Sequence, residues 1–177
     1  MLFKKFTNSD EYALPIDWEP EWSVGAPIPH VISSGHQSYL IYYIEEESQD
    51  WDGINVKVMD SNANEELPIA VVEFKGCYAY KFGGANDEVL YGHPLYKKGL
   101  KFYSAHKVIN SNWIKAEEKI NSVHDYYNPE PWRDRIHYLL LFHDELFECI
   151  ADGYETSVYR ESFKTVLSKV LNKMNCL

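Results

Sequence analysis

The sequence predicts an α+β fold: a single antiparallel sheet of about five or six strands, an amphipathic C-terminal helix, and one or two further helices. Three observations point there. Several segments in the first half alternate apolar and polar residues at the two-residue period of a half-buried strand. Near the C-terminus, Phe163, Val166, Leu167, Val170, Leu171 and Met174 repeat at i, i+3, i+4 and i+7, the spacing of one helix face. Strands and helices do not alternate regularly, which argues against a parallel doubly wound sheet.

At 177 residues the chain suits one domain, expected here as an irregular arm over 1–36 and an α+β body over 37–177. The arm carries Pro15, Pro20, Pro27 and Pro29, which remove backbone donors and block helix interiors. Trp18 and Trp22 lie between them, so an ordered wrap with rings packed on the body is expected. Residues 38–46 are apolar on both parities, as an inner strand would be. Residues 54–59 alternate cleanly, and Asp60 to Asn64 is turn chemistry. Residues 68–82 read as one long half-buried strand, with Gly76 marking a bulge. Residues 83–101 hold no sustained period and four glycines, which suggests a long loop with at most one helical turn.

A strand is expected over 102–109, then a helix over 112–123 with Ser111 as its N-cap. Asn128-Pro129-Glu130 suits the start of a short helix. Residues 136–143 and 146–151 read as a hairpin turning at Asp144-Glu145. The last helix is expected over 158–175, capped by Thr156 or Ser157.

The charge is lopsided. The chain carries a formal net charge of −10, and all of it falls in residues 1–66, with 13 acidic residues against Lys4, Lys5 and Lys57. Residues 67–177 balance 14 acidic against 14 basic residues, and no arginine precedes Arg133. Such a field disfavours nucleic acid and anionic membrane as partners and attracts a basic protein. The three cysteines, Cys77, Cys149 and Cys176, lack CxxC spacing and make neither a disulfide framework nor a zinc knuckle. No secretory leader or membrane-spanning run is visible, so a reducing cytoplasm is the expected compartment.

No phosphate-loop, dinucleotide, nucleophile-elbow or HExxH pattern occurs, and no cofactor is expected. Two segments carry candidate binding residues. The first is the 86–93 loop, with Asn86, Asp87, Glu88 and His93, a polar cluster of the kind that binds ligands when held on a loop. The second is the 143–149 hairpin, where His143 beside Asp144 has the residue types for acid–base or metal chemistry. Adjacent strand residues point to opposite faces, so these two converge only if the turn bends them together. Whether a metal binds is left open. Cys149 reads as a buried apolar residue and not a nucleophile.

Four stretches resemble a family of uncharacterised bacterial proteins: Phe82-Gly83-Gly84-Ala85-Asn86-Asp87-Glu88, Gly92-His93-Pro94-Leu95, residues 108–114, and residues 142–151 (FHDELFECIA). The resemblance covers roughly Tyr39 to Tyr154. It implies a single bacterial domain and no activity.

The sequence thus favours a non-catalytic protein-binding module of the bacterial cytoplasm. Its concrete form is an immunity-type protein neutralising a basic toxin or effector, as a monomer or a dimer. The alternative is a hydrolase or a small-ligand or metal-binding protein using the 86–93 loop with the 143–149 hairpin.

Overall fold

The computed structural model describes residues 10–35, 37–45 and 66–174. The strand expected at 54–59, its following turn and Cys176 lie outside these residues. The described chain is α+β, but it holds two antiparallel sheets and not one. It divides into two compact units, one of residues 1–17 and 77–153, the other of residues 18–76 and 154–177.

The first unit is built on a five-stranded sheet. In spatial order its strands are β1 (Tyr12–Ile16), β6 (Ala105–Ile109), β7 (Ile136–Leu141), β8 (Leu146–Ala151) and β5 (Ala79–Gly83). β7 and β8 form the expected hairpin, with Leu141 opposite Leu146 and Ile136 opposite Ala151. β1 lies in the segment expected to be irregular. It is an edge strand paired only with β6, and Pro15 sits opposite His106. An edge position tolerates proline because one side of the strand needs no ladder donor.

The 84–104 segment covers one face of this sheet. It forms two 3₁₀ turns, Asp87–Gly92 and Tyr96–Lys98. Leu90, Leu95 and Leu100 from this segment pack with Ala13, Val108, Leu139, Leu141 and Leu146. Burying each such leucine contributes about 1.5–3 kcal/mol, which explains how a stretch without period stays ordered. α1 (Asn112–Asn121) starts where expected: the Ser111 hydroxyl accepts the Ile114 N–H at 3.1 Å. α2 (Glu130–Asp134) follows Pro129.

The second unit is built on a four-stranded sheet in the order β2 (His30–Ser34), β3 (Gln37–Tyr43), β4 (Leu67–Lys75) and β9 (Gly153–Glu161), the last entering it after Gly153. β3 is an inner strand with both faces buried, as its sequence predicts. On one face Tyr39, Ile41, Tyr43, Ile69 and Val71 pack against Phe163, Val166 and Val170 of α3 (Phe163–Met174). On the other, the Trp18 indole N–H donates to the Tyr42 hydroxyl at 2.9 Å, and the Trp18 ring stacks on Tyr154 at 4.2 Å. Trp22 meets Tyr42 edge-on. The arm's tryptophans therefore do pack on the body, although β2 makes the arm less irregular than expected.

Two further expectations are corrected. The long strand at 68–82 is two strands in different sheets, because Gly76 adopts a left-handed φ of 58° that ends β4. The last helix starts at Phe163 and not at 158. Residues 153–161 extend as β9, and Ser162 caps the helix by accepting the Thr165 N–H at 3.3 Å. No helix among the described residues is long and apolar enough to cross a membrane.

Two positions yield stability predictions. Gly99 has φ +99°, and a Cβ there would lie 2.3 Å from the Ala13 carbonyl oxygen. Gly99→Ala is expected to cost roughly 1–3 kcal/mol from backbone strain alone, with the clash in addition. Gly25→Ala, where a Cβ meets nothing within 4 Å, serves as control in urea unfolding.

His106 is fully buried and its Nε2 accepts the Lys101 N–H at 3.0 Å. Burial pushes its pKa from 6.5 down to about 4. Between those values the unfolded chain takes up a proton that the folded chain refuses. The stability tied to His106 is therefore complete above pH 6.5 and is lost as pH falls toward 4, by up to about 3 kcal/mol. His106→Gln should flatten the dependence of unfolding free energy on pH across that window.

Candidate functional site

The tip of the β7–β8 hairpin brings three of the sequence-predicted residues together. The turn folds His143 onto its neighbour, so that His143 Nδ1 lies 2.8 Å from Asp144 Oδ1. Asp87, at the start of the first 3₁₀ turn, is tied to the same place: its backbone N–H donates to the His143 carbonyl at 3.2 Å. His143 Nε2 lies 3.6 Å from Asp87 Oδ2, and the Tyr103 hydroxyl donates to that oxygen at 2.5 Å. The Tyr103 ring stacks on His143 at 6.0 Å. Tyr103 was not among the sequence candidates. It adopts a positive φ of 50°, which the residue type does not announce.

The charges follow from this geometry. The hydrogen bond to the Asp144 carboxylate, with the charges of Asp144, Asp87 and Glu145, holds His143 above its ordinary value against desolvation. The Tyr103 hydrogen bond lowers Asp87, and Asp87 in turn raises Tyr103. The result is an imidazole biased toward its protonated form on an exposed surface, able to donate a proton or attract an anion.

The other candidates lie apart from this cluster. Asn86 precedes the first 3₁₀ turn without a side-chain cap bond. Glu88 is exposed on that turn. His93 is partly buried, its Nδ1 accepts the Leu95 N–H at 3.2 Å, and burial lowers its pKa. Among the charges that His93 senses are those of Glu148, Lys81 and His137, which belong to a second cluster.

That second cluster is a chain of side-chain hydrogen bonds absent from the sequence candidates. His137 Nε2 lies 2.8 Å from Glu148 Oε2, and His137 Nδ1 lies 2.8 Å from Ser111 Oγ. A carboxylate can only accept, so Nε2 carries the proton toward Glu148. The buried Ser111 hydroxyl then has Nδ1 as its acceptor, while its oxygen accepts the Ile114 N–H. Lys81, opposite Glu148 in the sheet, approaches that carboxylate at 3.5 Å and lies 3.7 Å over the Trp113 ring. Trp113 meets His137 edge-on at 5.1 Å. Burial would raise Glu148, but the His137 bond and the nearby positive charges outweigh it, and the carboxyl titrates below its ordinary value.

The serine–histidine–glutamate order has the residue types of a hydrolytic triad, in which a carboxylate orients a histidine that polarises a hydroxyl. Here Ser111 also caps a helix and is almost fully buried. The sequence did contain a signal for one pair. With Leu139 opposite Glu148, His137 lies diagonal to Glu148 on one sheet face.

Among the described residues no group of three His, Cys, Asp or Glu side chains is arranged to hold a metal ion. Cys149 is buried, and burial raises its thiol well above the ordinary range, as fits an inert packing residue. No protein-family model matches the chain, and neither a curated protein nor a solved structure matches it.

Two predictions follow the two clusters. Asp87→Asn and Asp144→Asn should each lower the His143 pKa, read by NMR titration of its ring protons, with the larger effect at Asp144. Glu148→Ala should destabilise the protein by roughly 2–4 kcal/mol, because it strips the acceptor from a buried histidine. Urea unfolding would show this.

Proposed function

We propose that the chain is a non-catalytic protein-binding module of the bacterial cytoplasm, of the immunity type that neutralises a basic toxin or effector. The observation that carries this reading is an exposed apolar surface at the end of α1. Ile120, Val123 and Tyr126 are 64%, 86% and 88% exposed and lie side by side with Asp125. Large apolar side chains this open to water cost solubility, and clusters of them mark protein interfaces.

Charge selects the partner. The whole chain is at −10. A basic partner would be steered in by that field and held by apolar contact.

The test is affinity capture from the source cell with tagged protein at low and high salt. The expected result is one basic protein, held at low salt, released by salt, and lost with the Val123→Asp or Tyr126→Asp variant. A captured protein that is acidic, or one that both variants retain, would overturn the reading.

A second reading has its own observation. His143 between Asp87 and Asp144, with Tyr103 at hydrogen-bond distance of Asp87, has the groups of an acid–base surface for a hydrolase or small-ligand protein. Turnover of a phosphoester or carboxylic ester that His143→Asn abolishes would favour it over the binding module.

A further inference from the structure

A groove of about 360 Å³ opens in the first unit between β6, α1, α2 and the start of β7. A groove this size is in the range that holds a small ligand. Its lining is unusual for so acidic a chain: Lys107, Lys115, Arg133 and Arg135 face it, against Glu118 as the one carboxylate. The Glu118 carboxylate already accepts the Tyr127 hydroxyl at 2.6 Å. The groove is thus a local positive site on a protein of net charge −10.

Arg135 is the decisive residue. Its guanidinium lies 4.1 Å from the Trp132 ring and 4.4 Å from the Tyr78 ring, which meet each other edge-on at 5.0 Å. The two rings hold the planar group from one side and shield part of it from water. Nε and Nη1 are buried and have no hydrogen-bond partner, and no carboxylate pairs with Arg135 among the described residues. Nη2 is the one guanidinium nitrogen outside that sealed set. Buried donors without an acceptor are costly, and an anion that reaches this half-buried cation gains more than it would at a wet surface.

The other cations are only lightly committed. Lys107 rests 5.9 Å over the Tyr138 ring, Lys115 donates to the Asn110 carbonyl at 2.8 Å, and Arg133 pairs with Glu130 at an exposed site. An exposed pair of that kind contributes little and is easily exchanged. Ser111, whose hydroxyl is held by His137, also lines the groove.

We propose that this groove binds a small molecule through an oxyanion, phosphate or carboxylate, with Arg135 as the anchor and Lys107, Lys115 and Arg133 around it. The guanidinium, already held by the two rings, loses little freedom on binding and offers Nη2 to an oxyanion. A nucleic acid is the less suitable occupant, because it needs a continuous positive track and the chain as a whole repels it.

The experiment is thermal unfolding and calorimetric titration of the full chain with inorganic phosphate or succinate, against chloride at matched ionic strength. Saturable binding with a rise in Tm is expected for at least one of the two. A response to phosphate alone assigns a phosphoryl source, and a response to succinate alone assigns a carboxylate source. Arg135→Gln should weaken binding by about tenfold or more, as loss of a charge-assisted anchor does. Lys107→Gln should weaken it several-fold and serves if the Arg135 variant fails to fold. Lys119→Gln, at an exposed position outside the groove lining, should bind as the parent does. The proposal is overturned if neither anion acts beyond chloride, if the Arg135 and Lys107 variants bind like the parent, or if a single-stranded oligonucleotide binds where both small anions fail.

Discussion

The first unit depends on one buried hydrogen-bond chain. Ser111 caps α1 two residues after β6, His137 lies near the start of β7, and Glu148 sits in β8. Three side chains therefore lock a helix start to two strands, and Lys81 extends the link to β5. Every group has a partner of the right polarity, and such fully satisfied networks rigidify the structure around them. The chain also accounts for local features that otherwise look unrelated. Ser111 cannot satisfy both Ile114 and His137 unless α1 begins where it does. Glu148 stays ionised despite burial because His137 and Lys81 both face it.

The fixed chain positions what lies at the surface. Ser111 and His137 line the cationic groove together with Lys107, Lys115 and Arg133, so the network fixes part of the groove's wall. At the other end of the β7–β8 hairpin, the tight turn bends His143 against Asp144 and brings it to Asp87. One hairpin thus carries a buried polar pair at its open end and an exposed charged cluster at its tip. The second unit is held differently. Its sheet is sealed by aromatic packing, with Phe163 of α3 against Tyr43 at 5.0 Å on one face and Trp18 against Tyr154 on the other.

Much of the fold was legible in local chemistry. The Ser111 cap, the β7–β8 hairpin and the doubly apolar β3 are fixed by nearest neighbours and by short periods, which sequence displays. What escaped depends on distant context. Gly76 reads as a bulge because Val72, Phe74, Tyr78, Tyr80 and Phe82 share a parity, yet its left-handed φ ends one strand and the chain continues into another sheet. Residues 158–161 border a strong helical repeat and read as part of it, yet they are the end of β9. They extend because Tyr159 packs on the cluster that the helix also covers. Of the site residues, Asp87, His143 and Asp144 meet because a turn and a loop converge. Tyr103, His137 and Arg135 carry no motif, and their roles arise from a positive φ, a hydrogen-bond chain and two rings that only the tertiary fold assembles.

The central claim is that the Ser111–His137–Glu148 chain, with its proton order, organises the first unit. Nitrogen-15 NMR of the histidine side chains tests it most directly, by reading which ring nitrogen of His137 bears hydrogen at neutral pH. The account predicts hydrogen on Nε2 and an unprotonated, hydrogen-bond-accepting Nδ1 whose shift changes in Ser111→Ala. Hydrogen on Nδ1 with a bare Nε2, or a His137 signal indifferent to Ser111→Ala, would contradict it.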